Sequence, residues 1–377
     1  MRIAINTRFL IKNKLEGIGW FTYEVVRRLV QQHPEHEFIF FFDRPYDESF
    51  IFGENVIPVV LPPPARHPIL WIWWYEIAIP KALEKYNADL FFSPNGHCSL
   101  RAKTPTLMVT HDIAYFHVPE LIPSKFRSYY RFFLPRHLHR ADQIVTVSEY
   151  SKKDIAKQFD ILPKKITVAC NSVRPEFRPL NEREINQIRQ QYAEGEAYFL
   201  YVGSVHPRKN VPRLIQAFDA FKKQTHAPIK LLVGGRFAWQ TREVQDAYKA
   251  AKFKSDIIIL GFVPDKELPK LTGAAMALTY VSLFEGFGVP LLEAMHCEVP
   301  IITSNVTSMP EVAGEAALLI NPLEVFEIAK AMQLLYENPV LQQELINKGR
   351  VQREKFSWDK AAEIVWDSIE KVNDKKQ

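Results

Sequence analysis

Short apolar runs alternate with longer amphipathic segments along nearly the whole chain. The short runs are rich in Val, Ile, Phe and Leu, which favours strands buried on both faces of a parallel sheet. The longer segments repeat apolar residues at helical spacing. This alternation predicts an α/β fold with doubly wound parallel sheets. The predicted strands are 2–5, 37–42, 57–60, 89–92, 106–110, 143–147, 166–169, 198–202, 229–233, 257–260, 276–280, 300–302 and 317–320. The predicted helices are 18–32, 124–140, 148–159, 208–224, 240–252, 264–273, 289–296, 324–337 and 340–355.

The predicted elements form two series, and 377 residues exceed the size of a usual single core. Pro175 and Pro179, each preceded by Arg, interrupt the polar stretch between the two series. We therefore assign residues 1–175 to an N-terminal domain and 176–356 to a C-terminal domain. Ligands of doubly wound sheets bind at the carboxyl ends of strands, so a ligand is expected in the cleft between two such domains.

Composition narrows the class of protein. A content of 47% hydrophobic and 24% charged residues is typical of a soluble globular protein, and a net charge of +5 permits phosphate or anionic-membrane binding without indicating nucleic acid. The cysteines Cys98, Cys170 and Cys297 have neither disulfide-framework nor metal-site spacing, which favours a reducing cytosol. The first apolar run is too short for a secretory signal, and the run 69–79 is broken by Glu76 and cannot span a bilayer.

The most informative segment runs from Leu283 to Met295, where Glu285 and Glu293 flank a Gly-Phe-Gly turn and Pro290. Glycines let a backbone approach a ligand closely, and proline suits the first turn of a helix. Both carboxylates could accept hydrogen bonds from hydroxyl groups of one ligand at a helix N-terminus. For an isolated glutamate, a solvated helix face is the usual alternative.

The segment 198–210 predicts a buried strand that ends at Gly203, followed by a loop with Arg208 and Lys209. This arrangement suits a phosphate group, although a strand–helix turn with solvated cations is an equal alternative. The GxxxxGK[ST] spacing of a Walker loop is absent. Near the N-terminus, Gly17 and Gly19 open a helix without the third glycine of a dinucleotide fingerprint.

His111 follows a predicted strand within Thr-His-Asp. It could face a ligand cleft, but a lone histidine is more often a helix cap or a surface residue.

Together these motifs resemble the retaining GT-B glycosyltransferases of family four, whose fold is two Rossmann-like domains facing across a cleft. The resemblance rests on Arg-Lys-Asn at 208–210, Gly-Phe-Val-Pro-Asp at 261–265, the spacing of Glu285 and Glu293, and Pro-Glu-Val-Ala-Gly at 310–314. N-terminal support comes from Gly-Ile-Gly at 17–19, Thr-His-Asp at 110–112 and the segment 147–155. The resemblance covers essentially the whole chain.

The resemblance implies a role for each matching residue. Glu285 and His111 would contact the donor sugar, and Glu293 would accept from the ribose hydroxyls. Lys209 would bind phosphate, and Arg208 is our choice for the second cation because Ser204 occupies the position where the family often has Arg. The remaining donor-binding positions are Gly17, Gly19, Gly203, Phe262, Val263, Gly286, Phe287 and Gly288.

The family resemblance also implies metal-independent transfer of a hexose, with no cofactor and with retention of configuration. No Asp-x-Asp metal motif occurs in the chain. The first donor candidate is GDP-mannose, with a UDP-hexose as the alternative, and the acceptor is a glycan or a lipid-linked glycan of surface polysaccharide biosynthesis. The other functions considered are a nucleotide-sugar epimerase of GT-B fold and a non-catalytic nucleotide-sugar-binding protein.

Two aromatic and basic segments, 70–75 and 124–140, leave peripheral contact with the inner membrane open, although packing in the N-terminal domain is the favoured alternative. We expect a cytoplasmic protein. Beyond Ser357, apolar residues recur at helical spacing, which predicts a closing helix within 357–377 that returns to the N-terminal domain.

Overall fold

The structure is a computed structural model that describes residues 1–121, 124–236 and 242–374. All thirteen predicted strands are present, and every pair is parallel, which confirms the α/β prediction. The strands are β1 (Arg2–Asn6), β2 (Glu37–Phe42), β3 (Val56–Val60), β4 (Leu90–Ser93), β5 (Thr106–Val109), β6 (Gln143–Thr146), β7 (Ile166–Val168), β8 (Ala197–Val202), β9 (Ile229–Gly234), β10 (Ile257–Gly261), β11 (Ala277–Tyr280), β12 (Ile301–Ser304) and β13 (Ala317–Ile320).

The chain divides into two compact units. Unit 1 comprises Met1–Asn171 and Ser357–Gln377, and unit 2 comprises Ser172–Phe356. The boundary between them thus lies a few residues before the position inferred from the prolines at 175 and 179. Each unit contains one of the two sheets.

Both sheets have a point at which the strand order reverses. Sheet 1 has the order β3-β2-β1-β4-β5-β6-β7, so the chain moves outward on one side of β1 and then returns to β4 on the other. Sheet 2 has the order β10-β9-β8-β11-β12-β13, with the reversal between β8 and β11. In open parallel sheets, ligands bind outside the carboxyl ends of the strands at such a reversal. Each unit therefore has one position where a ligand is expected.

Helices accompany the strands in both units. They are α1 (Gly17–Gln32), α2 (Pro68–Trp73), α3 (Ile79–Lys85), α4 (Ala114–His117), α5 (Ser124–Arg140), α6 (Glu149–Phe159), α7 (Glu182–Ala193), α8 (Val211–Thr225), α9 (Arg242–Ala250), α10 (Leu268–Gly273), α11 (Val289–His296), α12 (Met309–Ala313), α13 (Val325–Glu337), α14 (Pro339–Arg353) and α15 (Trp358–Asp374). No helix among the described residues is long and apolar enough to cross a membrane.

The closing helix α15 completes the core of unit 1. It packs against α1 and against β4 to β7, burying Ala361, Val365 and Ile369. Its N-terminus is capped by Ser357, whose Oγ accepts a hydrogen bond from the N–H of Asp359 at 3.1 Å. Full burial of a valine or isoleucine side chain stabilises unit 1 by about 1.5–3 kcal/mol.

Several predicted helix bounds were wrong. The helix predicted from 208 begins at Val211, because residues 207–209 form a 3₁₀ turn and Asn210 adopts a left-handed conformation with φ of 60°. The helix predicted from 264 begins only at Leu268. Helix α9 falls within the predicted 240–252, of which positions 240 and 241 lie outside the described residues.

Four helical stretches among the described residues were not predicted: 68–85, 114–117, 182–193 and 309–313. In the first, a π-helical turn at Trp74–Ala78 joins α2 to α3, and Pro80 breaks the expected periodicity.

Candidate active site

The carboxyl ends of β8 and β11 carry most of the predicted site residues of unit 2. Gly203 follows β8 with φ of +142°, and its N–H donates to the carbonyl oxygen of Gly234 at 3.0 Å. Gly235 follows β9 with φ of +151°, and a Cβ there would lie 1.8 Å from the carbonyl oxygen of Gly203. The two loops therefore approach too closely for any side chain at Gly235. This open backbone edge adjoins the cationic loop after β8.

Lys209 and Glu285 form a buried ion pair across this edge. Lys209 is 8% exposed, and its Nζ lies 2.5 Å from Glu285 Oε1 and 2.5 Å from the hydroxyl of Tyr280, the last residue of β11. The Tyr280 hydroxyl is in turn 3.1 Å from the same carboxylate oxygen. The 3₁₀ turn at 207–209 and the left-handed Asn210 set the direction of the lysine side chain. Asn210 is itself fixed by donating to the carbonyl oxygens of Val281 and Pro322.

Arg208 supports the same carboxylate. Its Nη1 donates to the carbonyl oxygen of Phe284 at 2.9 Å and lies 3.5 Å from Glu285 Oε2. Burial opposes ionisation of Glu285, but the charges of Lys209 and Arg208 outweigh it and lower the pKa of this carboxyl to about 2. Burial and the same two cations lower the pKa of the neighbouring His206 to about 3. Glu285 is therefore ionised and His206 neutral at physiological pH.

The loop after β11 is held in shape by residues from a later part of unit 2. The Ser308 hydroxyl lies 2.9 Å from the carbonyl oxygen of Glu285 and 3.0 Å from that of Phe287. Gly288 has φ of +104°, and a Cβ there would lie 2.4 Å from Met309 Cε. The loop that contains Gly286, Phe287 and Gly288 is buried throughout. Its backbone is thus preset before α11 begins.

Glu293 is the fifth residue of α11, which begins at Val289, and it is 8% exposed. Among the described residues, its carboxylate has no hydrogen-bond or ion-pair partner within contact distance. Burial raises the pKa of Glu293 to about 7. The positive charge of Arg174 opposes this rise, and the negative charge of Asp265 adds to it. A buried carboxyl without partners is costly unless a ligand supplies donors. Glu293 therefore has the properties of a ligand-binding group.

Phe262 and Val263 follow β10, two strands away from β8 in sheet 2. Phe262 is 53% exposed, and the guanidinium of Arg236 lies 4.4 Å above its ring. Val263 is partly buried, and its Cγ2 would lie 2.9 Å from a Cβ on Gly234. The two residues are therefore separate from the Lys209–Glu285 pair and occupy the outer part of the same edge of the sheet.

Gly17, Gly19 and His111 belong to unit 1. Gly17 is the exposed first residue of α1. Gly19 is buried, and a Cβ added there would lie 3.1 Å from the carbonyl oxygen of Phe9. His111 Nε2 lies 3.0 Å from the carbonyl oxygen of Pro94, so this nitrogen carries the proton. Burial lowers the pKa of His111, which keeps the imidazole neutral. Its ring packs edge-on against Phe21, which joins the end of β5 to the start of α1.

Sequence reasoning missed Tyr280, Ser308 and Arg236, which orient the carboxylate, the loop and the aromatic ring described above. Tyr280 ends a predicted strand next to the reversal of strand order, a position that favours a functional residue once the strand order is known. Ser308 and Arg236 carry no comparable signal. Among the described residues, no group of three or more His, Cys, Asp or Glu side chains could hold a metal ion.

Comparison with known families accounts for both units. Residues 182–352 match the family of glycosyl transferases group 1, and residues 15–177 match glycosyltransferase family 4. O-antigen chain mannosyltransferase B of Escherichia coli is 30% identical over 361 residues, which span 93% of this chain and 94% of that protein. O-antigen chain mannosyltransferase RfbU of Salmonella typhimurium is 30% identical over 256 residues, 68% of this chain and 67% of that protein.

Solved structures share the fold at low sequence identity. WaaG, a glycosyltransferase involved in lipopolysaccharide biosynthesis, matches 97% of this chain and 99% of its own with a TM-score of 0.77 and 16% identity. Anabaena HepE in complex with UDP and glucose matches 98% of this chain and 100% of its own with a TM-score of 0.78 and 16% identity. The fold and the site thus define an enzyme of the GT-B glycosyltransferase class. More particularly, the chain belongs to glycosyltransferase family 4 and is related to O-antigen mannosyltransferases.

Proposed function

We propose that this enzyme transfers a hexose from a nucleotide-diphosphate sugar to a glycan or lipid-linked acceptor of a surface polysaccharide, with retention of anomeric configuration. GDP-mannose is the first candidate donor. The observation that carries the proposal is the buried Lys209–Glu285 pair at the reversal of strand order in sheet 2. The similarity to O-antigen mannosyltransferases supports mannose as the sugar and a polysaccharide as the product.

The chemistry follows from the charges around this pair. The sugar gains positive charge as the nucleoside diphosphate departs, and negative charge develops on the leaving phosphate. Lys209 and Arg208 favour that developing charge electrostatically, in a site where burial strengthens the effect. Glu285 stays ionised beside them and can accept hydrogen bonds from the hydroxyls of the transferred sugar. The leaving phosphate oxygen then receives the proton of the acceptor hydroxyl on the same face of the sugar.

The nucleotide would extend from this pair along the edge of sheet 2. Glu293 supplies a buried acceptor for the ribose hydroxyls, which supports its role as the ribose-binding group. Phe262 and Val263 would hold the base, and the glycine backbones at 203 and 286–288 would lie beside the diphosphate. His111, Gly17 and Gly19 are proposed to contact the donor from unit 1.

A donor screen tests this proposal. The full chain is mixed with an acceptor extract and with GDP-mannose, GDP-glucose, UDP-glucose or UDP-galactose, and the product linkage is determined by NMR. We expect transfer from GDP-mannose, with the α configuration of the donor retained. Transfer with inversion, or turnover of a nucleotide sugar to its epimer without an acceptor, would contradict the proposal. A thermal-shift series with GDP and UDP provides an independent reading, because a specific ligand raises the melting temperature.

We further propose that the enzyme works at the cytoplasmic face of a membrane, with α5 as the contact. Tyr129, Leu134 and Leu138 of α5 are buried in unit 1, whereas its outer face exposes Arg127, Arg131, Phe132 and Arg136. Basic and aromatic residues on one helix face suit an anionic lipid surface. Cosedimentation with vesicles containing phosphatidylglycerol should fall on Arg127→Gln/Arg131→Gln substitution. Equal sedimentation with neutral vesicles would contradict this contact.

A further inference from the structure

The reversal of strand order in sheet 1 contains a polar cluster that the proposed donor site does not use. The loop after β1 carries Arg8, and the loop after β4 carries Asn95 and His97. Strands β1 and β4 are neighbours in sheet 1, so these loops lie side by side at the carboxyl edge. This is the position where an open parallel sheet binds its ligand.

Arg8 is a buried cation that forms no ion pair with the residues that the structure describes. It is 5% exposed, and its side chain makes one hydrogen bond to the described residues, from Nη1 to the carbonyl oxygen of Ala65 at 3.0 Å. None of the ion pairs among the described residues includes it. The carboxylate of Asp43, close by, is bound by Arg44 at 2.5 Å and 2.7 Å. Buried charges in proteins are normally paired, so the guanidinium retains donors for an anion.

Aromatic rings surround this guanidinium. Its Cζ lies 5.4 Å from the ring of Trp71 and 5.7 Å from that of Tyr75. The same two rings lie 5.5 Å and 5.3 Å from the imidazole of His97, so both Arg8 and His97 adjoin them. Tyr130 adds a further ring 5.9 Å from His97. Indole and phenol faces are suited to pack against the apolar face of a sugar ring.

His97 adds an unused acceptor. Its Nδ1 lies 2.8 Å from the carbonyl oxygen of Asn95 and therefore carries the proton, which leaves Nε2 as a lone-pair acceptor. This Nε2 is buried and has no hydrogen-bond partner among the described residues. Burial, together with the charge of Arg8 and with His137, keeps the pKa of His97 well below its usual value, so the ring stays neutral. A hydroxyl group of a ligand would satisfy it.

From this arrangement we infer that the acceptor substrate carries an oxyanion bound by Arg8, next to a sugar that packs on Trp71 and donates a hydroxyl to His97 Nε2. The inference rests on the proposed function, because it names the acceptor of that reaction. The oxyanion is the phosphate of a carrier-linked sugar or the carboxylate of an acidic sugar, which share the chemistry that Arg8 recognises.

Calorimetry on the full chain tests the inference with three probes: methyl mannoside, methyl mannosyl phosphate and methyl glucuronide. A saturating nucleoside diphosphate is present throughout to occupy the donor site. We expect at least one anionic probe to bind tenfold or more tightly than methyl mannoside, and the tighter one identifies the source of the oxyanion. Arg8→Met should abolish this preference, while the exposed Arg66→Met should retain it. His97→Phe should weaken the neutral and anionic probes to the same degree.

The outcomes separate this inference from the donor proposal. Equal binding of neutral and anionic probes to the wild type, or an unchanged preference in Arg8→Met, would overturn the oxyanion site. Failure of every nucleoside diphosphate to bind would instead overturn the proposed function. Arg8→Met keeps the volume of the side chain and removes a buried unpaired charge, so we expect its melting temperature to be retained. A large drop in melting temperature together with wild-type transfer kinetics for anionic acceptors would show that Arg8 is only structural.

Discussion

Lys209 and Glu285, 76 positions apart in sequence, meet at 2.5 Å because β8 and β11 are neighbours in sheet 2. Both side chains are more than nine-tenths buried. The charge of Lys209 therefore favours the ionised form of the Glu285 carboxylate, and Lys209 is also one of the two cations proposed for the leaving diphosphate.

Removal of Lys209 should affect both stability and turnover. Lys209→Met leaves Glu285 buried without its main cation, and breaking a buried pair in this way costs about 3–5 kcal/mol. The double variant Lys209→Met/Glu285→Gln removes both charges and should regain much of that stability without regaining transfer. Urea unfolding and donor turnover measure the two effects. A single variant as stable as the wild type would show that the pair contributes little to folding.

Arg208→Ala should lower turnover with a smaller effect on stability, because Arg208 is less buried.

Glu293 should make stability depend on pH near neutrality. The pKa of its buried carboxyl is raised to about 7, above the value near 4.5 of an unfolded glutamic acid, so the folded state binds the proton more tightly. The contribution of Glu293 to the free energy of unfolding should therefore be complete below pH 4.5. It should be lost as the pH rises toward 7, by on the order of 3 kcal/mol. Glu293→Gln should lack this contribution. Thermal unfolding at pH 5 and pH 8 compares the two proteins, and parallel pH profiles would contradict the assignment.

The same carboxyl should link nucleotide binding to proton release. Ribose hydroxyls donate to the ionised carboxylate, so binding favours that form and should release a proton from Glu293 below pH 7. Glu293→Gln should bind the nucleoside diphosphate more weakly, by roughly 1.5–3 kcal/mol, and without this proton release. Calorimetry in buffers of different ionisation enthalpy measures both quantities. The titration of the phosphate itself is common to both proteins and cancels in the comparison.

Gly17 and Gly235 should respond in opposite ways to replacement by alanine, because an added Cβ has space at the first position and none at the second. Gly235→Ala places a Cβ against the carbonyl oxygen of Gly203 and should destabilise unit 2 strongly, because the contact is with backbone at a positive φ. Gly17→Ala meets nothing within 4 Å at the start of α1 and should leave stability unchanged or slightly higher. If Gly17 contacts the donor, Gly17→Ala should nevertheless raise the KM for the donor. An unchanged KM would remove Gly17 from the donor-binding residues.

Transfer should persist in EDTA. Arg208 and Lys209 are proposed to stabilise the leaving diphosphate, so a divalent ion is not required for that charge. Activity is measured after dialysis against EDTA and again after addition of Mg²⁺ or Mn²⁺. Complete loss that is restored by either ion would show that the two cations do not suffice.

The helix α15 should be essential to unit 1. Val365 is fully buried against that unit, so Val365→Asp should cost several kcal/mol, whereas the exposed Asp367→Asn should change stability by about 0.5 kcal/mol or less. Deletion of 357–377 should abolish transfer although every proposed site residue remains. Hydrogen exchange distinguishes the units: protection should fall in β1 and β4 and persist in β8 and β11. Loss spread equally over both sheets would contradict this assignment.

The sequence predicted the strands well because each is a short, strongly apolar run. It also singled out Glu285, Glu293 and Lys209 as candidate site residues, since glycines and a proline near them are typical of a ligand loop; their roles stay predictions. It could not predict that Lys209 is paired with Glu285, because strand order decides which loops meet and no local pattern encodes it. Arg8 was missed for the same reason, because its loop lies beside that of His97 only once β1 and β4 are known to be neighbours.

Unit 1 is built from two segments that are far apart in the sequence, and this affects how it folds during synthesis. Strands β1 to β7 leave the ribosome first, yet the helix that covers them is translated only after all of unit 2. Unit 2 is continuous in sequence and can fold while unit 1 still exposes the apolar surface that α15 later buries. The nascent chain therefore carries an uncovered hydrophobic face for the time needed to translate about 185 residues, from Ser172 to Phe356. Chaperone dependence during expression should accordingly follow unit 1, even though most of the proposed donor-binding residues belong to unit 2.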